Sequence, residues 1–240
     1  CDVIIILVIK MKVAVFSDIH GNYQALNAIL NDIKKQNVDE IIFLGDSVSL
    51  GPSPYECIDR LMKENITFIN GNHELYLLDK KYYDDDMSEQ EIEHNLWVLK
   101  NLKDEHLKYI LEQPLKYSLT INNKKYLFIH FFLEDAIYPF KHISIFKTDE
   151  YKKVFESIGY DYCFYGHFHQ GRIDEYKNKW FYGIGSSGCV KGNKTFYYII
   201  DELGINKVEL EFDRKEFDKI ILSTEYPDKE NISSIFFDKK

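Results

Sequence analysis

The chain has 240 residues, with 30 lysines and arginines against 39 aspartates and glutamates, for a formal charge of −9. That balance excludes a protein whose main task is gripping duplex nucleic acid, because such affinity comes from clustered cations neutralising phosphates. At 45% hydrophobic and 29% charged it has the composition of a globular chain, neither disordered nor fibrous. The apolar run Val3–Ile9 falls well short of the roughly 20 residues a membrane helix needs, and it lacks the flanks of a signal peptide. The cysteines Cys1, Cys57, Cys163 and Cys189 are scattered with no Cys-x-x-Cys pair, the pattern of reduced thiols in a cytoplasmic protein.

Met11 reads as the natural start, which makes residues 1–10 an upstream extension. From there Lys12–Ser17 is a buried strand. Asn22–Lys35 sets Leu26, Ile29, Leu30 and Ile33 at helical spacing behind a capping Asn22. Glu40–Leu44 is a second strand, Pro54–Glu64 a helix with proline in its first turn, and Thr67–Ile69 a short third strand. This β-α-β-α-β order predicts a parallel sheet with crossover helices. Leu75–Ser88 is polar and tyrosine-rich, and Glu89–Glu112 reads as one long helix. Strands follow at Tyr117–Ile121, Tyr126–Ile129, Tyr162–Tyr165, Trp180–Ile184, Thr195–Asp201 and Ile205–Phe212, with a hairpin turn at Asn122-Asn123. No linker of Gly, Ser or Pro divides the halves, so residues 11–240 read as one domain.

The residues that carry chemistry stand just after the strands: Asp18-Ile-His20, Gly45-Asp46, Gly71-Asn72-His73-Glu74, His130, and Gly166-His167-Phe-His169. Strand carboxyl ends are where α/β sheets bind ligands, so five segments deliver donor side chains to one edge. Imidazole, carboxylate and amide donors together suit first-row divalent metals. Asp18, His20, Asp46, Asn72, His130, His167 and His169 are too many for one ion. Two ions sharing one carboxylate is the economical arrangement, with Asp46 the central candidate. Only three cations are arginines, Arg60, Arg172 and Arg214, so a phosphorylated ligand would have to be neutralised mainly by metal.

These five blocks, in order from about Lys12 to Phe212, resemble the calcineurin-like metallophosphoesterase superfamily. The resemblance implies a four-layer αββα sandwich of two mixed sheets flanked by helices, with the metals at the strand C-terminal ends. It implies one divalent ion on Asp18, His20, Asp46 and His169, and a second on Asp46, Asn72, His130 and His167. Mn, Fe, Zn, Ni and Co all suit such donors, with manganese favoured. A hydroxide bridging the ions would attack phosphorus, and His73 would stabilise the phosphoryl oxygens or protonate the leaving group.

Protein Ser/Thr phosphatases of the superfamily read Gly-Asp-x-Val-Asp-Arg-Gly, where this chain has Ser49 and Leu50 in place of the Asp-Arg pair. The Gly51-Pro52-x-Pro54 and Gly185-Ser-Ser-Gly188 segments are more similar to the small prokaryotic phosphodiesterase-type members, some of which cleave dinucleoside polyphosphates. The implied activity is therefore a phosphodiesterase or nucleotide pyrophosphohydrolase acting on a small phosphorylated substrate. The alternatives are a small-molecule phosphomonoesterase and a non-catalytic scaffold. Phe131-Phe132 after His130 is a candidate stacking wall for a base. His94 and His106 are expected on solvated helix surface, His142 in a plain loop, and Asp84-Asp85-Asp86 in a solvated turn. Arg172 is either a substrate contact or a surface strand residue; Tyr76, Tyr82 and Tyr83 line a lid or pack.

Overall fold

Strand β1 (Val13–Phe16) alternates two ways: Val13 and Val15 face one core, Ala14 and Phe16 another. It therefore has no solvent face and lies between two layers. The computed structural model describes residues 11–84, 87–133, 140–141, 143–147 and 150–237. Residues 1–10, Asp85, Asp86 and His142, which carry the expected extension, acidic turn and loop histidine, lie outside the described residues.

After β1 come α1 (Tyr23–Ile33), β2 (Glu40–Phe43), α2 (Pro54–Met62), β3 (Thr67–Phe68) and α3 (Asn72–Leu78). The middle of the chain forms α4 (Glu89–Asn101), α5 (Asp104–Leu111) and the hairpin β4 (Lys116–Ile121) to β5 (Lys124–Ile129). Next are α6 (Glu150–Ser157), β6 (Tyr162–Tyr165), β7 (Arg172–Tyr176), β8 (Lys179–Gly183), β9 (Lys194–Asp201) and β10 (Gly204–Glu211). The described chain closes with α7 (Arg214–Ser223), α8 (Lys229–Ile232) and a π-helical turn over Ser233–Phe237.

One sheet runs β10-β9-β1-β2-β3 and the other β4-β5-β6-β8-β7. Within the first, β1, β2 and β3 are parallel and β9 returns antiparallel to β1. Within the second, β5, β6 and β8 are parallel. Val13, Val15, Ile42, Leu44, Phe128 and Phe164 fill the space between the sheets. Phe16 and Phe43 meet Leu26, Ile29 and Leu30 of α1 on the outer face, and Cys163 and Phe181 meet Phe155 of α6 on the other. Each fully buried side chain of this kind contributes about 1.5–3 kcal/mol. Helices, sheet, sheet and helices make the four-layer sandwich the sequence resemblance implies.

Several elements depart from the sequence expectation. Glu89–Glu112 is broken at Leu102, whose backbone turns extended, and the His106 ring accepts the Lys103 N–H to cap a new helix. The tyrosine-rich stretch opens with α3, and β7 and the helices beyond Phe212 carry no anticipated element. Asn122 and Asn123 do form the expected two-residue hairpin, with φ of 50° and 63°. Cys57, Cys163 and Cys189 are free thiols. No helix among the described residues is long and apolar enough to cross a membrane.

Candidate metal centre

The parallel strands β1, β2 and β3 of one sheet and β5 and β6 of the other end at the same edge. There the structure brings together all seven candidate donors and His73. The hydrogen-bond ladder runs past the strands into the loops: Asp18 N–H donates to the Gly45 carbonyl at 2.9 Å and His20 N–H to the Asp46 carbonyl at 2.9 Å. This zipping sets the first two donor loops against each other. Left-handed backbone is rare for side chains other than glycine, yet Asp18 (φ 52°), His20 (48°), Asp46 (59°) and His167 (61°) all adopt it. Such strain costs about 1–3 kcal/mol per residue and gathers where geometry serves function.

Asp46 lies at the centre. Its Oδ2 is 3.6 Å from Nε2 of His20 and 3.3 Å from Nε2 of His130. On the His20 side, His20 and His169 oppose their Nε2 atoms at 2.9 Å, and Asp18 Oδ1 is 3.5 Å from His169 Nε2. On the His130 side, Nε2 of His130 is 3.0 Å from Asn72 Oδ1 and 3.3 Å from His167 Nδ1, which is itself 2.9 Å from Asn72 Oδ1. Asn72 points its oxygen inward because its amide nitrogen donates to the Tyr76 hydroxyl at 3.1 Å. The seven donors thus form two groups that meet at one carboxylate oxygen.

The tautomers say what fits between them. Nδ1 of His130 is 2.7 Å from the Leu44 carbonyl and Nδ1 of His20 is 3.2 Å from the Val48 carbonyl, so each carries a proton there. In the neutral ring Nε2 is then a lone pair, aimed at other lone pairs on oxygen and nitrogen. Only a positive charge relieves that arrangement, either a proton or a metal cation. Burial works against the charged forms, but the carboxylates of Asp46 and Asp18 outweigh it and lift His130 to about 9; Asp18 and Asp46 likewise raise His20. Burial alone would raise Asp46, yet the surrounding imidazoles of His130, His73 and His20 hold it well below the usual carboxylate range. Asp18 behaves the same way against His169 and His20. Two ionised buried carboxylates amid imidazoles fit divalent cations. The groups Asp46, His130, His167 and His20, Asp46, His73 each present ligand atoms within 4.8 Å of one another, as do His20, His169 and Cys189.

Two glycines permit the approach. A methyl group at Gly71 would collide with the Asp46 carboxylate, and one at Gly166 with Asp18 and the Ser17 hydroxyl. Asp18 Oδ1 also accepts the His167 N–H at 3.0 Å, which ties the two loops together.

The sequence motif assigns Glu74 no role, and the structure supplies one. Fully buried, it accepts the N–H groups of Asp46 (2.8 Å) and Gly71 (2.9 Å) on Oε2, and the Ser47 N–H and hydroxyl (2.7 Å each) on Oε1. It is the anchor that holds the Asp46 loop to α3.

His73 lines the cavity above the donors and gives its backbone N–H to Asp46 Oδ1 at 3.1 Å. Burial pushes its imidazole down to about 3, and Nδ1 has no hydrogen-bond partner among the described residues. Ser49, standing where the Ser/Thr phosphatases carry an aspartate, is turned to Asn95 (3.5 Å).

His94 is not on solvated surface as expected. It is buried, its Nε2 accepts the Leu50 N–H at 2.9 Å, and its ring packs against Trp97 and Tyr226. The unassigned segment beyond Phe212 covers it, which helix periodicity alone cannot reveal. His106 is buried too, against Tyr55. Phe131 and Phe132 do not wall the site: both lie in the core, Phe131 beneath the His167 ring at 4.7 Å. Arg172 is bound to Asp174 (2.5 and 3.0 Å) and lies over Phe146 rather than in the cavity. Tyr76 lines the cavity, with its hydroxyl on Asp84.

Residues 11–204 match the family model of the calcineurin-like phosphoesterase superfamily domain. An uncharacterized protein of Methanocaldococcus jannaschii is 34% identical over 235 residues, covering 89% of this chain and 93% of its own. Serine/threonine-protein phosphatase 2 of Escherichia coli is 27% identical over 206 residues, covering 77% of this chain and 91% of its own. A crystal structure of a metallophosphoesterase from Sphaerobacter thermophilus superposes with a TM-score of 0.67 at 20% identity, over 93% of this chain and 98% of that one. The chain belongs to the calcineurin-like phosphoesterase superfamily, a family of metal-dependent hydrolases of phosphoester bonds.

Proposed function

We propose that the chain is a dinuclear metal-dependent phosphodiesterase acting on a small substrate that carries a single phosphodiester. The observation that supports this reading most is the pair of donor groups sharing Asp46 Oδ2 at the floor of a cavity of about 500 Å³. Asp18, His20, Asp46 and His169 would hold one ion, and Asp46, Asn72, His130 and His167 the other. Such ions, when bound, supply Lewis-acid polarisation of a phosphoryl oxygen and a water of lowered pKa. His20 and His130, fixed through Nδ1 by backbone carbonyls, keep their Nε2 atoms aimed inward, and Asp18 and Asp46 supply the negative charge that retains the ions. His73 is the catalytic residue, giving a ring N–H to a phosphoryl oxygen as charge builds there. With Ser49 turned to Asn95 and burial outweighing the pull of the Asp46 carboxylate, the His73 ring is neutral, so hydrogen-bond donation is its role rather than delivery of a proton.

The charge of the cavity favours a diester over the other substrates. Leu50 stands where the phosphatases carry arginine, and no lysine or arginine lines the cavity among the described residues. Glu91 and Asp228 are in its wall. A phosphomonoester carries nearly two negative charges at neutral pH and a diester one, and further phosphates of a dinucleoside polyphosphate would meet those acids. Similarity to an E. coli protein named a phosphatase keeps monoester hydrolysis as the second reading.

The test is hydrolysis after Mn²⁺ reconstitution, with bis-p-nitrophenyl phosphate and p-nitrophenyl phosphate compared against a chelated control. The expected result is faster, chelator-sensitive cleavage of the diester. In the same assay His73→Ala should bind metal normally while kcat falls about 10²–10⁴-fold. A monoester preference would replace the diesterase reading with the phosphatase one, and a full rate in His73→Ala would remove its catalytic role.

A further inference from the structure

The cavity wall beside His169 is aromatic, and it comes from the last described turn of the chain. Phe236 lines the cavity with its ring 5.6 Å from that of His169, next to the donors, and it packs in the same cluster as Leu50. Ile235 beside it also lines the cavity and is 54% exposed, a large apolar side chain left facing solvent. The segment that presents them is firmly seated. Phe237 is fully buried against Phe217 at 5.0 Å, and the Arg214 guanidinium holds the Phe237 carbonyl. The turn is π-helical, a rare geometry found frequently at functional sites. So a seated backbone leaves Ile235 exposed and Phe236 half-buried beside the donor His169.

We infer that Phe236, with Leu50 and Ile235, is the specificity wall on which the substrate stacks a planar group such as a nucleobase. This rests on the phosphodiesterase reading and names the class of diester it takes: a nucleoside phosphodiester. An aromatic face at this position suits a base because every base has a π-face. The polar edge of the base would meet Gln90, which lines the same cavity from α4. The uncharged base also suits a cavity whose described walls carry acids and no cation. The Leu50 departure and the C-terminal turn thereby act together: where the phosphatases offer a guanidinium for charge, this chain offers an apolar floor continuous with Phe236.

The Mn²⁺-loaded full chain is assayed on two diesters with the same leaving group, thymidine 5′-(p-nitrophenyl phosphate) and methyl p-nitrophenyl phosphate. Phe236→Ala should lower kcat/KM on the nucleoside diester about tenfold through KM, leave the methyl diester within about twofold, and Phe236→Trp should restore the nucleoside preference. Equal losses on both substrates would make Phe236 a mere support for His169 and overturn the inference, as would no change on either. Calorimetry reads the wall without turnover. Wild type should bind adenosine 5′-monophosphate about tenfold tighter than ribose 5-phosphate, and Phe236→Ala should bind the two alike. If wild type shows no such preference, the wall is refuted whether or not diesters are cleaved. If the preference is present and lost in Phe236→Ala while no diester is turned over, the wall stands and the hydrolase assignment alone fails.

Discussion

Replacing Asp46 with alanine is expected to empty both metal positions at once and to cut turnover at least about a thousandfold, the rate equivalent of several kcal/mol of lost charge stabilisation. No other single donor should do this. Oδ2 of Asp46 lies 3.6 Å from one His Nε2 and 3.3 Å from another, in different donor groups. Asp18 belongs to the His20 group alone, and Asn72 to the His130 group alone. Asp46→Asn refines the test, because its amide oxygen still accepts the His73 N–H now bound at 3.1 Å. Shape is then kept and charge lost, so metal loss in Asp46→Asn assigns the effect to the carboxylate. Metal analysis after gel filtration, with a melting curve to show that the fold survives, reads both. Asp46→Ala that retained one ion at full occupancy would show that the groups do not share it.

Glu74→Ala is expected to cost about 3–5 kcal/mol, a large part of the roughly 5–15 kcal/mol that typically separates folded from unfolded states. Truncation leaves the N–H groups of Asp46, Ser47 and Gly71 without their acceptor at a site closed to water. Each buried donor so stranded costs about 1–3 kcal/mol, and the sum is less than additive because the loop relaxes. For a chain of this size the melting temperature should fall by about 10 °C. The same relaxation moves Asp46, so metal affinity should fall in parallel. Glu74→Gln should lie between the two, since its amide nitrogen faces donors on one side while its oxygen serves the other. A variant as stable as wild type with unchanged metal affinity would show that the Asp46 loop holds its shape without Glu74.

The parts of the site that could be read in the sequence are those encoded locally. Asp18-x-His20, Gly45-Asp46 and Gly166-His167-x-His169 each stand directly after a buried apolar run, and parallel pairing of β1 with β2 in one sheet and of β5 with β6 in the other brings the motifs to one edge. What periodicity could not show are the groups whose partners lie far along the chain. Glu74 looks like one more acid in a motif until its carboxylate is seen to join two loops. His94 falls on the outer side of a helix that is surface only if nothing covers it, and the segment around Tyr226 does. The C-terminal turn has no alternation or strong apolar stripe to announce it; the sequence points to Phe131-Phe132, next to a donor along the chain, whereas the structure sets Phe236 next to one in space. The single long helix expected over Glu89–Glu112 failed for a local reason instead: at Leu102 the chain turns extended and His106 caps a second start.

Whether one carboxylate joins two metal positions is read by electron paramagnetic resonance of the Mn²⁺-loaded protein. Ions bridged by Asp46 should be magnetically coupled, so wild type at saturation should hold two per chain and show an exchange-coupled spectrum. Asp46→Asn should lose that coupling along with the metal. A single ion per chain at saturation, with the spectrum of isolated Mn²⁺, would contradict the account.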